Sequence, residues 1–398
     1  MIRAVLTVKI PFDPKNLPFD RISTSIPLYC IFFDFDFYQP IMLIKDFTIE
    51  HILSQLSRDK INVLFVAEHT PLDIPSLIQA ANQTALKIAG GVFPMVVQGE
   101  QTFEKGIILK FAESSDPVHL LKDIDFEELA QDLPDFSNST QSCIVLTDGL
   151  MEGAPRVLHQ LYEKYWHGLS FLGGGAGSLT LKQTPCVFSN EGLHENAVLL
   201  IPLRKKAKSG VKHGWQKLAG PFIANKTDGN TILELNWRPA FEVYKEVLES
   251  YGNPNFETTA FFDIAKGHPF GIQKEGQEVI VRDPIAVNEK GHLYCVGPVS
   301  QNVSLYVLGG DKYDLIRSAR EAANIACENP DYEDSLVIDC ISRILYLEED
   351  FPKELQAIDS EFTEKGTLEG ALTLGEISSG IKGLLELYNK TTVVTTFS

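Results

Sequence analysis

Several chemistries are missing from this sequence. Its six cysteines, Cys30, Cys143, Cys186, Cys295, Cys327 and Cys340, form no CxxC pair, and its nine histidines form no HExxH and no pair at helical spacing. The spacing supports neither a disulfide framework nor a metal site, and free, buried thiols in a reducing compartment are expected. GxSxG is absent, which removes one hydrolase signature. No apolar run is fit to cross a bilayer: the longest region, IPLYCIFFDFDFYQPIMLI, is cut by Asp34, Asp36 and Pro40, and MIRAVLTVKIPFD is broken at Lys9 and Pro11 before a signal-peptide core develops. Positive charge is scarce, with 35 Lys and Arg against 53 Asp and Glu and a net charge of −18. Such a chain repels nucleic acid and anionic lipid at long range. The expectation is a cytoplasmic protein with no nucleic-acid partner, no membrane partner and no cofactor.

What is present is an ordinary globular composition, 44% hydrophobic and 22% charged, over 398 residues, a length at which one core stops growing and two lobes are expected. The first forty residues carry a strand pattern, with Phe33, Phe35 and Phe37 alternating around Asp34 and Asp36. Helical spacing in FTIEHILSQLSRDK, a continuous apolar run in INVLFVAE and a second helix in SLIQAANQTALKIAGG, ended by Gly90 and Gly91, come next. Two strands are read over 93–111, turning around Gly99 to Thr102, followed by an acidic helical stretch, DPVHLLKDIDFEELAQDLPDF, with a solvated negative face. CIVLT is a strand ending at Asp148-Gly149, PRVLHQLYEKYWHGL an amphipathic helix, and TPCVFSNEGLHENAVLLIPL a hairpin turning near Glu191-Gly192. The fold class expected is α+β: two lobes, each a mixed or mostly antiparallel sheet covered by helices.

Between that helix and hairpin lies FLGGGAGSL (171–179), with Gly173, Gly174, Gly175 and Gly177. A phosphate loop would run into a helix, and its Walker form needs Gly-Lys-Ser/Thr. Here Ser178 and Leu179 follow the last glycine and a hairpin comes next, so the run reads as a tight bend, or as a place where backbone approaches another backbone or a ligand. RKKAKSGVKHGW, with Arg204, Lys205, Lys206, Lys208 and Lys212, is the one basic cluster. Lacking interleaved aromatics, it reads as a solvated linker at the lobe boundary. Residues 1–40 are then a strand-rich extension, and 41–203 and 204–398 the two lobes.

From the basic cluster onward the sequence resembles a known family. HGWQKLAGPFIANKTDGNTILELNWRPAFEVYKEVL, with Gly214-Trp215, Gly220, Pro239-Ala240 and Tyr244, is similar to the opening of the C-terminal half of a FIST domain, a sensory family of intracellular signal transduction. The order continues through HPFGI, VIVRDPIAV, LVIDCISRILYL, LTLGEISSG and LYNKTTVV, and upstream the strand at 143–147, the next helix and FLGGGAGSL resemble the end of the N-terminal half. Two departures stand out. VVQGEQT keeps Gly99-Glu100 without the family's Cys, and Asp339 precedes Cys340 where a small or neutral residue is usual. The resemblance implies a non-catalytic sensor of a small, amino-acid-like metabolite that passes its occupancy to a separate signalling or effector protein. It also implies Gly375-Glu376 and Asn389 as polar lining beside Arg282 and Arg343.

Arg282 and Arg343 lie in apolar runs, where a guanidinium is costly to bury unless a carboxylate or phosphate meets it. Pairing with Glu376 or Asp283, or binding of an acidic or amino-acid-like ligand, would each serve. Cys340 needs a nearby base to act as a nucleophile and Asp339 opposes its ionisation, so a buried thiol is the simpler reading. His268, beside Pro269, reads as a turn or core histidine. The candidate ligand site comprises Gly173, Gly174, Gly175, Gly177, Arg282, Cys340, Arg343, Glu376 and Asn389, with no catalytic and no metal-binding residue. Two alternatives stay open: a protein-interaction scaffold like the substrate-recruiting FIST regions of F-box proteins, and an enzyme using Cys340 or His268.

Overall fold

Three runs of seven residues, INVLFVA, SCIVLTD and DSLVIDC, do not alternate as half-exposed strands would, and each becomes a central strand buried on both faces. The computed structural model describes residues 43–165, 168–252, 255–273, 278–363, 367–380 and 384–398. The extension 1–40, with its expected strand around Phe33 to Phe37, lies outside these residues. Ile41–Ser398 forms one compact unit.

Around each central strand the chain builds the same arrangement. The first unit contains β1 (Leu43–Ile44), α1 (Ile49–Gln55), β2 (Ile61–Ala67), α2 (Ile74–Gln83), β3 (Lys87–Phe93), a hairpin of β4 (Met95–Gln98) and β5 (Gln101–Phe103), and β6 (Ile107–Ala112). The second repeats the order with β7 (His119–Leu121), α3 (Leu129–Asp132), β8 (Ser142–Asp148), α4 (Ala154–Tyr165), β9 (Ser170–Ala176), β10 (Val187–Ser189), β11 (Gly192–His194) and β12 (Val198–Leu203). The third opens with β13 (Ala207–Lys212) and is then interrupted by an inserted sheet. This holds β14 (Gln216–Ile223), β15 (Lys226–Asp228), β16 (Thr231–Leu235), β17 (Arg238–Pro239), α5 (Ala240–Ser250), α6 (Phe261–Ala265), β18 (Phe270–Ile272), β19 (Ile280–Val287), β20 (Leu293–Val296) and β21 (Ser304–Gly309). The unit resumes with α7 (Lys312–Ala326), β22 (Asp334–Cys340), α8 (Ile341–Leu347), α9 (Phe351–Asp359), β23 (Glu369–Thr373), the hairpin of β24 (Glu376–Ser378) and β25 (Glu386–Tyr388), and β26 (Thr392–Phe397).

In each unit two strands run parallel across a helical crossover, and a third returns antiparallel beside the first: β6-β2-β3, β12-β8-β9 and β26-β22-β23. The hairpin always goes to another unit. β4 pairs with β23 of the third unit, β24 with β9 of the second, and β10 with β3 of the first. Three six-stranded sheets of one topology result, linked by a closed cycle of strand exchange. The fold is α+β, with mixed or antiparallel sheets flanked by helices.

One glycine marks the repeat. Gly90, Gly173 and Gly370 stand opposite Leu64, Val145 and Val337 in the parallel pairs, and a Cβ on them would sit 2.1, 1.9 and 1.7 Å, respectively, from that partner's carbonyl oxygen. No side chain fits there.

Three local expectations are revised. Gly90 and Gly91 belong to β3 and do not end α2, whose C-cap is Thr84; the close approach of Leu64 explains the glycine. The acidic stretch holds only β7 and the four-residue α3 as regular structure, since its like charges offer a helix little support. The basic cluster is not a linker. Ala207–Lys212 pairs along its whole length with β26, and Lys205, Lys208 and Lys212 meet Glu333, Glu328 and Glu278 at 2.9, 2.5 and 2.9 Å.

Candidate functional site

Each unit passes from its hairpin to its return strand through three residues: Glu104-Lys105-Gly106, Glu195-Asn196-Ala197 and Asn389-Lys390-Thr391. The carbonyls of Gly106, Ala197 and Thr391 accept the N–H of the last central-strand residue, Ala67, Asp148 and Cys340 respectively. The backbone is thus shared, but the surroundings are not. Glu104, Lys105, Glu195 and Asn196 are exposed, whereas Asn389, Lys390 and Thr391 are buried. The inserted sheet covers this third turn: Arg282 of β19 donates from Nη1 to Asn389 Oδ1 at 3.2 Å, and Asp283 Oδ2 lies 3.1 Å from Lys390 Nζ. Lys390 also donates to the Lys266 carbonyl at 2.9 Å and lies 5.3 Å from the centre of the Trp215 ring.

Side chains at matching positions differ in the same way. Asp339, opposite Thr392, corresponds to Val66 and Thr147. Glu376, opposite Gly174, corresponds to Val96 and Val187. Uncharged side chains satisfy the fold at both places twice over, so the fold itself does not call for these carboxylates.

Arg343, on α8, is fully buried and has spent all five of its N–H groups. Nε and Nη2 donate to Glu354 Oε1 and Oε2 at 2.9 and 2.5 Å, Nη1 to the carbonyls of His213 and Lys390 at 2.8 and 3.2 Å, and Nη2 to that of Leu315 at 2.9 Å. Its main counter-ion is Glu354, with Asp339 Oδ1 3.5 Å from Nε; neither Glu376 nor Asp283 takes that part. His213, whose carbonyl accepts from Arg343 Nη1, is itself buried. Its Nδ1 accepts the Trp215 N–H at 2.8 Å, and burial, then Arg343 and Lys212, pull its pKa down to about 3, which keeps the imidazole neutral.

Arg282 is only 6% exposed but has no such partner. Nε donates to the Pro298 carbonyl at 2.9 Å, and Nη1 donates to Val281 O at 2.9 Å and Leu387 O at 3.4 Å as well as to Asn389. Among the described residues no carboxylate forms an ion pair with it. Burial lowers its pKa to about 10, opposed by the more distant charge of Glu386.

Glu376, wholly buried, accepts from Thr373 Oγ1 at 3.2 Å and from the Thr391 N–H at 3.3 Å. Burial first, and the charge of Asp339 second, push its carboxyl well above the usual range. Asp339 moves the same way through burial and Glu354, with Oδ2 left without a hydrogen bond. The Cys340 thiol is pushed up by burial and by Glu376, so Glu376, not Asp339, is the acid that opposes its ionisation.

The profile of the FIST N domain matches residues 61–238, and that of the FIST C domain residues 240–379. The chain belongs to the FIST family. A comparison with curated proteins finds no match. FIST domains are associated with sensing in signal transduction. In this FIST protein the C-domain match carries Arg282, Arg343 and Glu376, while the turn they meet lies just beyond it. Among the described residues no helix is long and apolar enough to cross a membrane, and no three His, Cys, Asp or Glu side chains are grouped to hold a metal.

Of the residues singled out from sequence, Arg282, Cys340, Arg343, Glu376 and Asn389 gather around one FIST turn. The glycines act behind it. A Cβ on Gly175 would sit 2.5 Å from the Leu374 carbonyl oxygen, one on Gly174 2.8 Å from Thr373 Cγ2, and one on Gly177 2.6 Å from Leu374 Cδ1. Of the readings open for FLGGGAGSL, close approach to another backbone is the one realised, in a buried strand that admits β24. His268 Nδ1 lies 2.9 Å from the Ile264 carbonyl, in the turn after α6. Lys390, Glu354 and His213 went unnoticed in the sequence. Lys390 sits inside LYNKTTVV and His213 opens HGWQKLAGPF, whereas Glu354 lay in none of the quoted motifs.

Proposed function

We propose that this FIST protein is a non-catalytic, cytoplasmic sensor of a small, amino-acid-like metabolite, which passes its occupancy to a separate effector protein. The observation that carries this reading is the burial of the third turn. The same backbone, twice elsewhere in the chain, leaves the first two turn residues exposed and places uncharged side chains at the positions of Asp339 and Glu376. Only here, among the described residues, does the chain assemble Arg282, Lys390, Asp283, Asp339 and Glu376, and burying so many ionisable groups carries a desolvation cost. The seam between the inserted sheet and the third unit is a natural place for a ligand to act, because it can bias two arrangements by its differential affinity for them. Asn389 and Arg282 offer donors to a carboxylate, and Glu376 an acceptor to an amine. The reading assigns no catalytic step, since the Cys340 thiol is held in its protonated form.

The test is a thermal-shift panel of amino acids, carboxylates, nucleotides and short peptides on the purified chain. A ligand at a hundred times its Kd adds about 2.7 kcal/mol, and an amino acid or close relative is expected to raise the midpoint. Silence across the panel, together with a stoichiometric protein partner held regardless of small molecules, would replace the sensor by a scaffold.

A further inference from the structure

Resting on the sensor reading, we infer that Arg282 Nη2 and Asn389 Nδ2 form a carboxylate subsite across the seam between the inserted sheet and the hairpin of the third unit. A carboxylate held there clamps the two together.

Both donors are unspent, and their residues are in contact. Arg282 directs Nε and Nη1 to three carbonyls and to Asn389 Oδ1, while its two Nη2 hydrogens meet no acceptor among the described residues. Asn389 accepts through Oδ1, and its Nδ2 likewise meets none. The Nη1 to Oδ1 bond fixes guanidinium and amide side by side, so both unused groups belong to one coupled pair. Neither nitrogen is among the fully buried orphan atoms of the chain, so neither is sealed from solvent.

Two glycines pack against these side chains, Gly297 on their bonded atoms and Gly375 beside the unused Nδ2. Gly297 has φ +82°, and a Cβ on it would sit 3.2 Å from Arg282 Nε and 3.3 Å from Asn389 Oδ1. Gly375, with φ +107°, would place one 3.5 Å from Asn389 Nδ2. Arg282 and Gly297 come from the inserted sheet, whereas Asn389 and Gly375 flank the hairpin β24–β25. A group bound to both donors therefore spans the seam.

Charge points the same way. Lys390 lies 3.1 Å from Asp283 and Arg343 2.5 Å from Glu354, and burial raises the carboxyl pKa of Asp283, Asp339 and Glu376 alike. Arg282 is left as a buried cation with only Glu386 at longer range. An added negative charge is therefore favoured, and a carboxylate can set one oxygen on Arg282 Nη2 and the other on Asn389 Nδ2. A doubly charged phosphate would overcompensate one arginine.

The experiment titrates the full chain with acetate, L-alanine, methylammonium and inorganic phosphate at constant ionic strength, by calorimetry and thermal shift. Acetate and L-alanine are expected to bind, methylammonium not, with affinity falling at least tenfold in Arg282→Gln. Gly297→Ala, which adds bulk and leaves the charge, should weaken binding as well, and Arg282→Lys should keep part of it. Should a panel ligand bind Arg282→Gln as well as the natural chain, the subsite is wrong and the sensor stands. Phosphate binding more tightly than acetate overturns the ligand class. If no compound of either panel binds the natural chain, subsite and sensor fall together.

Discussion

The first two units and the third share a backbone and differ in what lies on it. Turns 104–106 and 195–197 each expose their first two residues, while all three residues of turn 389–391 are buried beneath the inserted sheet. Val66 and Thr147 occupy the position that Asp339 takes in the third unit, and Val96 and Val187 that of Glu376. The comparison separates what the fold needs from what it carries. The glycine at 90, 173 and 370 recurs because a carbonyl occupies its Cβ position; carboxylates at the positions of Asp339 and Glu376 occur once, where the insert arrives. The two arginines of that region divide in turn. Arg343 is saturated and belongs to the scaffold, and Arg282 is not.

The largest effect that would sharpen this division is expected from Arg343→Met. It strands Glu354, Asp339 and three carbonyls in the interior, and should cost roughly 3–5 kcal/mol in urea unfolding. Adding Glu354→Leu should restore much of the loss, and a cost near zero for the single variant would remove Arg343 from the scaffold. Next come Gly90→Ala, Gly173→Ala and Gly370→Ala. Each forces a Cβ onto a backbone oxygen, and each should cost about 1–3 kcal/mol or more, by similar amounts. One site that tolerates alanine freely would break the equivalence of the units. The smallest change in stability is expected where the third unit is made to resemble the second, by Asp339→Thr with Glu376→Val. Replacing buried charges by well-packed neutral groups is often neutral or stabilising, so unfolding should stay within about 1 kcal/mol of the natural chain or improve, whereas a loss like that of Arg343→Met would make these carboxylates structural.

Much of the fold was legible where local pattern and environment agree. INVLFVA and CIVLT are continuous apolar runs and became buried strands, PRVLHQLYEKY kept its amphipathic helix, and the hairpin near Glu191-Gly192 turned where expected. The threefold repeat was not legible. Its units share geometry and one glycine, few other residues, and the insert stretches the third beyond any fixed period. AKSGVK looked like a linker because its lysines point outward, yet Gly210 lets the Ala322 carbonyl of α7 approach, with only 1.9 Å to where a Cβ would be. The five candidate residues that gather at the third turn lie in the ordered motifs, but the partners they meet there do not stand out in the sequence. Glu354 lies 11 residues after Arg343 on another helix, and nothing in that spacing announces a pair.

The central claim is that ligand response belongs to the third turn alone. Amide hydrogen exchange at turns 104–106, 195–197 and 389–391, with and without a compound that raises the thermal midpoint, tests it most directly. Added protection confined to 389–391 and to the facing residues 281–283 and 297 is the predicted result. Equal protection at all three turns, or protection at 104–106 or 195–197 only, would contradict it.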